Sequence, residues 1–321
     1  MAISATKSRR VENRHWSSIQ EAGTLFGLRF LWLVHKLLGR KAVSILLIPT
    51  VAYFLIFRSK ARSSSFEYLN THYQYFPHAW NHKPGIRDVA RHFREFAETI
   101  VDKLLSWFIH IDAEDFDVED LRYVESQLAD PQGQLIIGSH FGNLEYCRGF
   151  MHRYNQKVIN ILVHDKHSEN YNRIMLQLNS ESRLNIFQVE EFDIPTMLKI
   201  KNKIDNGEWI FIAGDRTPPS GNERTVNVDF MGRTAALPIG PYMLAKGLDC
   251  PVKLVFASYD YSQPDLPVRF QLSHFAERIE LDRKHREQQL QEYAQRYATE
   301  LERHCEHSPF QWFNFYNYWT D

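Results

Sequence analysis

The segment Gln134 to Glu145, QLIIGSHFGNLE, gathers residue types that acid–base chemistry uses. The imidazole of His140 can take up a proton near neutral pH. A carboxylate at Glu145, five residues on, can accept a hydrogen bond from the ring nitrogen that faces away from a substrate. Between them, Gly142 permits a positive φ or a close approach of backbone to a ligand. Asn143 is a favourable helix cap, so outward-pointing N–H groups near Gly142 and Asn143 are expected beside the imidazole as donors to an oxyanion. The apolar run Leu135, Ile136 and Ile137, ahead of the small residues Gly138 and Ser139, reads as a strand. That would set His140 at a strand's carboxyl end, where ligands bind in open α/β sheets.

Spacing by itself does not select this pair. With fifteen histidines and thirty-nine acidic residues in the chain, roughly two His-x4-acid pairs are expected by chance. Three occur, at His110/Asp115, His140/Glu145 and His164/Glu169. The first falls at the tail of a helical pattern before an acidic stretch. The third is followed by Asp165, Lys166 and His167 instead of small residues that would let a substrate come near. Context therefore favours His140, against the alternative of a buried histidine bonded to a neighbouring carbonyl. GSHFG misses the G-x-S-x-G nucleophile elbow, because Ser139 stands in the second place. His164, Asp165 and His167 are too close in sequence to converge readily on one metal ion. Cys147, Cys250 and Cys305 are odd in number and form no CxxC pair, so neither a disulfide framework nor a structural zinc site is indicated. No metal or cofactor is expected, and a net charge of −1 argues against a general nucleic-acid binder.

A second constellation repeats the logic of the first. In WIFIAGDRTPPSGNERTVNVDFMGRTAALPIG a buried strand ends at Gly214, Asp215 and Arg216. A Pro/Gly loop and a hairpin then lead to Gly232, Arg233 and Thr234, and Pro238 reads as the first-turn residue of a helix. Asp and Arg at strand ends suit hydroxyl or phosphate recognition, the guanidinium pairing with phosphate in a planar fork. The competing reading is an Asp/Arg salt bridge that ties the hairpin down.

The remaining pattern says what must position these residues. Strand-like runs at 157–164, 184–189, 209–215, 225–232, 250–259 and 268–275 alternate with helical stretches at 168–180, 193–206 and 238–246, and a helix from about 284 to 305 closes the chain. That rhythm predicts an α/β fold, a mixed and mainly parallel sheet flanked by helices. Val89, Phe93, Phe96, Ile100, Leu104 and Phe108 form a helical stripe expected to pack on the core. Residues 63–83 read as a polar and aromatic connector, and 112–120 as an acidic solvated link.

At the amino end, Arg29, Lys36 and Arg40 share one helical face with apolar residues mostly elsewhere, an interfacial pattern. The next sixteen residues, Ala42 to Phe57, carry no charge and would span about 24 Å as a helix, against a hydrocarbon core of about 30 Å. Pro49 is expected to kink this helix. Basic residues flank both ends, so the positive-inside bias gives no orientation, and a monotopic or hairpin anchor with both ends on the cytoplasmic face is favoured over a single pass. This divides the chain into a membrane-associated helical segment, residues 1–65, and a catalytic domain, residues 66–321.

Taken together, the Trp16-to-Phe57 segment, SHFGNLE, the AGDR loop, FMGRTAALPIGPYMLA and SPFQWFNFYNYW resemble, in order, the lysophospholipid acyltransferase superfamily, in particular the bacterial branch of late lipid A acyltransferases and their relatives. The resemblance implies a glycerolipid-acyltransferase-like fold and a bacterial inner-membrane enzyme. The activity implied is transfer of an acyl group from acyl carrier protein or coenzyme A to a hydroxyl of a lipid or glycolipid. It implies that His140 and Glu145 form a catalytic His-x4-acid dyad, and that Arg173, in ENYNR, with Asp215, Arg216 and Arg233, binds substrate. TPPSG after the AGDR loop departs from the lipid A pattern. The rivals are a membrane-associated ester hydrolase and a non-catalytic membrane-bound scaffold; a scaffold that had lost its chemistry would be expected to have a broken dyad. The aromatic cluster Phe310 to Trp319 could sit at the membrane interface, where amphipathic rings are enriched, but is expected to close the core.

Overall fold

Apolar runs bounded by small or polar residues lie side by side as the central strands of the computed structural model, which describes residues 25–105, 116–119, 121–143, 157–163, 184–188, 193–217, 224–259 and 268–320. Strands β2 (Gln134–Gly138), β3 (Ile159–Val163), β4 (Leu184–Gln188), β5 (Trp209–Ala213) and β8 (Val252–Ser258) run parallel. β9 (Val268–Ala276) pairs antiparallel to β8, and β1 (Phe116–Glu119) lies outside it. The seven strands follow the order β1-β9-β8-β2-β5-β3-β4. This is the mixed, mainly parallel sheet that the alternating pattern predicts. β2 and β8 are buried at every position, as expected where helices cover both faces and the strand sequence shows no polar alternation. Chain order crosses from β2 past β5 to β3 and returns to β5, so the carboxyl ends of β2 and β5 lie together at the centre of the sheet.

Around the sheet stand α1 (Leu25–Phe57), α2 (Ser59–Tyr75), α3 (Ile86–Leu105), α4 (Leu121–Ala129), α5 (Ile194–Asp205), α6 (Gly240–Leu248) and α7 (Arg286–His307). Asp193 caps α5 with its carboxylate on Thr196 N–H at 2.9 Å. A separate hairpin pairs β6 (Thr225–Phe230) with β7 (Arg233–Pro238). Its two turn residues, Met231 at φ 55° and Gly232 at φ 70°, both take the left-handed region that a tight two-residue hairpin loop demands.

Several expectations need correction. α1 breaks at Gly39 (φ 78°, ψ 179°), where it leaves helical geometry, while Pro49 sits within the helix. The stretch read as a connector forms α2, which buries Tyr68, Leu69 and His72; its apolar residues are interspersed with Ser, Thr and His, of which Ser64, Ser65 and Thr71 are buried as well, and this masks the helical period. Residues 116–119 are the edge strand β1, with Phe116 buried, instead of a solvated link. Pro238 ends β7, and α6 starts two residues later with Pro241 in its first turn.

α3 differs most from its apolar stripe. Ile100 is exposed, whereas His92, Glu95, Glu98, Thr99 and Asp102 are buried beside Val89, Phe93 and Val101. Buried polar groups need hydrogen-bond partners, and besides Arg91, which pairs with Glu95 within the helix, the partners bind α3 to α1, α2 and the chain's end. Arg40 of α1 reaches Glu98 at 2.5 Å and Asp102 at 2.9 Å. His92 bonds Ser65 of α2 at 2.8 Å and the Trp312 carbonyl at 2.9 Å. Burial draws His92 down to about 4, so the ring is neutral and its Nε2–H donates to the carbonyl.

After α7 the chain runs as a strap from Ser308 to Thr320 whose aromatic side chains close the core, as the sequence implies. Phe310, Trp312, Phe313, Tyr318 and Trp319 are all buried. Tyr68 O–H donates to the Pro309 carbonyl at 2.8 Å, and Gln311 Nε2 donates to Glu95 at 2.6 Å. α2 and α3 thus fasten this strap across the carboxyl end of β2.

Candidate active site

The parallel register of β2 and β5 decides what His140 meets. Gly138 stands opposite Ala213, so two residues further along both strands His140 comes opposite Asp215. Gly214 N–H closes the junction on the Gly138 carbonyl at 2.9 Å. A β-carbon on Gly214 would lie 2.7 Å from the Ile137 side chain and 3.2 Å from the Tyr297 ring, so glycine is needed for the two strand ends to stay this close.

His140 Nδ1 lies 2.9 Å from Asp215 Oδ1, and the His140 backbone N–H donates to Asp215 Oδ2 at 3.0 Å. The indole N–H of Trp312 donates to the same Oδ2 at 3.2 Å. Burial alone would raise the carboxyl's pKa, but the charge and hydrogen bonds of His140, with the Arg216 guanidinium, outweigh it and hold Asp215 at about 2. The carboxylate is therefore ionised and can only accept, so Nδ1 carries the proton and Nε2 carries the lone pair. Desolvation lowers the pKa of His140, and Arg216 lowers it further. Asp215 works in the opposite direction, and Lys103 adds a smaller lowering. The ring is thus neutral near pH 7. Its side chain is 36% exposed while that of Asp215 is 0% exposed. A neutral imidazole oriented in this tautomer is of the kind that takes a proton from an alcohol.

Gly142 takes φ +61° and forms an isolated parallel bridge with Ala257 of β8. The positive φ agrees with the sequence expectation; what comes close to it is protein backbone. Gly142 N–H donates to Gln311 O at 2.7 Å and Asn143 N–H donates to Ala257 O at 3.0 Å. Both donors read as an oxyanion site are therefore committed to carbonyls, because this turn is stitched between β8 and the strap. Asn143 is buried, and its amide faces the Thr99 carbonyl of α3 at 3.5 Å. Ser139 is buried too, which removes it from reach as the nucleophile of a hydrolase.

The chain matches the family of bacterial lipid A biosynthesis acyltransferases over residues 12–321. It belongs to that family. No curated protein matches it in sequence.

In this acyltransferase the second constellation divides in two. Arg216 bonds the Phe313 carbonyl and lies over the Tyr316 ring, 5.6 Å from its centroid, and its charge acts on both His140 and Asp215. Arg233 is held elsewhere. It pairs with Glu67 of α2 at 2.9 Å, reaches Thr71 at 3.3 Å and lies over Trp319. Its guanidinium fastens the hairpin to α2 and the strap, a tie-down of the kind the sequence offers as an Asp/Arg salt bridge, made here with Glu67. Asp215, read as a substrate ligand, is instead the buried partner of His140. Glu145, Arg173, Cys147, and the His164, Asp165 and His167 cluster lie outside the described residues.

Two groups escaped the sequence reading. Trp312 reaches Asp215 from the far end of the chain, and no local spacing could reveal that. Lys103 acts on His140 from the last turn of α3, one helical turn beyond Thr99. The polar stripe on that helix is the signal present in the sequence, beside the more prominent apolar residues.

Proposed function

We propose that the protein moves a fatty acyl group from an acyl thioester, carried by acyl carrier protein or coenzyme A, to a hydroxyl of a lipid or glycolipid. The observation that carries this reading is the Asp215–His140 pair at the adjoining carboxyl ends of β2 and β5, in a chain of the lipid A acyltransferase family. His140 Nε2 takes the proton of the acceptor hydroxyl as its oxygen attacks the thioester carbonyl. The tetrahedral intermediate then collapses with cleavage of the C–S bond, and the imidazolium returns its proton to the leaving thiolate. Asp215 keeps the ring in the reactive tautomer and steadies its transient charge. Arg216 and Lys103 supply positive charge for the oxyanion or for a phosphate on donor or acceptor. Arg173, by its place in the family motif, joins them, and Glu145 completes the His-x4-acid motif.

His140→Ala should lower the rate of acyl transfer by about 10³-fold, within the range that a positioned general base contributes, and leave the thermal unfolding midpoint within a few degrees of the parent. Release of thiol from acyl-CoA or acyl carrier protein, in the presence of a bacterial lipid extract, measures it. Full activity in the variant would discard the mechanism.

We further place the enzyme at the cytoplasmic face of the bacterial inner membrane. Trp32–Phe57 is long and apolar enough to cross a membrane by length and composition. Its Leu37, Leu38, Ile45, Ile48, Ile56 and Phe57 are exposed, while Val43 and Leu47 pack toward Val101 of α3. An apolar face of this extent is costly in water and suits a lipid surface. Removing residues 1–57 should move the protein from the membrane fraction to the soluble fraction. A truncated protein that still sediments with membranes would refute the anchor.

A further inference from the structure

The carboxy-terminal strap touches His140, Gly142, Asp215 and Arg216. Phe313 N–H donates to the His140 carbonyl at 3.0 Å, the Gln311 carbonyl accepts from Gly142 N–H at 2.7 Å, and the Phe313 carbonyl accepts from Arg216. Trp312 stands between these contacts, 0% exposed, with Phe141 bridged to it in antiparallel fashion. Its ring is wedged edge-on against Tyr68, Phe230 and Tyr318, at centroid separations of 5.0, 5.0 and 4.7 Å. Packing on three sides leaves the indole one orientation, and in that orientation its N–H meets Asp215 Oδ2.

We propose that Trp312 is a positioning residue for the His140–Asp215 pair. By occupying Oδ2 together with the His140 backbone N–H, it fixes which carboxylate oxygen faces the imidazole and draws negative charge away from that oxygen. A carboxylate held at one oxygen by two donors cannot rotate, so Oδ1 stays in line with Nδ1. A donor on the carboxylate also weakens its hold on the imidazolium, which keeps His140 a base that can give its proton back to the leaving thiol. The family's His-x4-acid spacing contains no hint of this contact, since Trp312 lies 97 residues beyond Asp215. The proposal rests on His140 acting as the base.

The test compares Trp312→Phe with Phe230→Leu in the full-length protein. Both substitutions thin the same aromatic cluster, but only the first removes the N–H. The probes are acyl-CoA and a bacterial lipid extract, with thiol release followed from pH 5 to 9. For Trp312→Phe, kcat should fall about tenfold with KM within twofold, in keeping with the loss of one hydrogen bond to a charged group. The acid limb of kcat should move up by about half a pH unit, because the carboxylate now holds the imidazolium more strongly. Among the described residues, Arg216 and Lys103 also act on His140, and both are unchanged in the two variants. Phe230→Leu should lose a similar amount of thermal stability while keeping the parental limb. If the two variants show equal losses of kcat and the limb moves in neither, Trp312 is only packing and the proposal fails. His140→Ala separates this failure from that of the parent reading: if that variant keeps its activity, the general base itself is wrong.

Discussion

Asp215→Asn is expected to reduce turnover by roughly 10³- to 10⁴-fold, because the amide would reverse the histidine's tautomer. Two donors, the His140 backbone N–H and the Trp312 indole N–H, point at Oδ2. An asparagine must offer them its carbonyl oxygen there, since its NH2 group would meet two hydrogens. The NH2 group then takes the place of Oδ1 and donates to Nδ1. The ring proton is driven to Nε2, the edge that should accept from the acceptor alcohol, so the base is lost with its geometry intact. KM should change little, because Asp215 is buried and faces the imidazole instead of a substrate. The pH behaviour carries a second signature. Asp215 raises the pKa of His140 and so opposes desolvation, Arg216 and Lys103; without its charge the residual acid limb should shift to lower pH. Stability follows the carboxylate. Its folded pKa of about 2 lies below the ordinary 3.8, so its contribution is fully present above about pH 4 and is lost as pH falls through 2. Unfolding midpoints of parent and variant should therefore converge in acid. Wild-type turnover in Asp215→Asn would show that the carboxylate does not orient the base.

How far the sequence leads can be judged at particular residues. The β2 and β5 runs, each apolar and ended by small residues, identify two buried strands, and their ends carry His140 and Asp215. Sequence does not state that β2 and β5 are neighbours, since β3 and β4 intervene in the chain. The contact between His140 and Asp215 is a consequence of pairing order and register, and the pattern of each strand is silent on both. Glu145, by contrast, is visible through spacing alone. The oxyanion donors failed for a related reason. Gly142 was correctly legible as a special backbone position, but whether its N–H faces a ligand or a carbonyl depends on Gln311, far away in the chain. α2 and the polar side of α3 are not legible in the sequence because a helix face that packs through polar residues carries no apolar stripe there. Where the partners are hydrogen bonds from the strap, hydropathy carries no signal of burial.

Gly142→Ala is expected to damage the protein more than any other single methyl group placed near the site. At φ +61° a β-carbon is already unfavourable, by about 1 to 2 kcal/mol. The larger effect is steric. The added carbon would lie 1.6 Å from the Ala257 carbonyl oxygen, 2.7 Å from its carbon and 3.1 Å from Ser258 Cα. All three are backbone atoms of β8, so no side-chain rotation relieves the clash, and either β8 or the His140 turn must move by more than an ångström. That movement breaks the hydrogen bond from Asn143 to Ala257 and strains the one from Gly142 to Gln311, and each buried group left without its partner costs about 1 to 3 kcal/mol. A loss of about 3 kcal/mol or more follows, visible as a fall of several degrees in the unfolding midpoint. Activity should fall further than stability, because His140 lies two residues upstream and its carbonyl is bonded to the same strap. Gly85→Ala supplies the comparison: nothing lies within 4 Å of its added carbon and its φ is ordinary, so its midpoint and turnover should match the parent. Equal behaviour of the two alanine variants would mean that the backbone around His140 tolerates displacement, and that the close stitching of β2, β8 and the strap is not what holds the base in place.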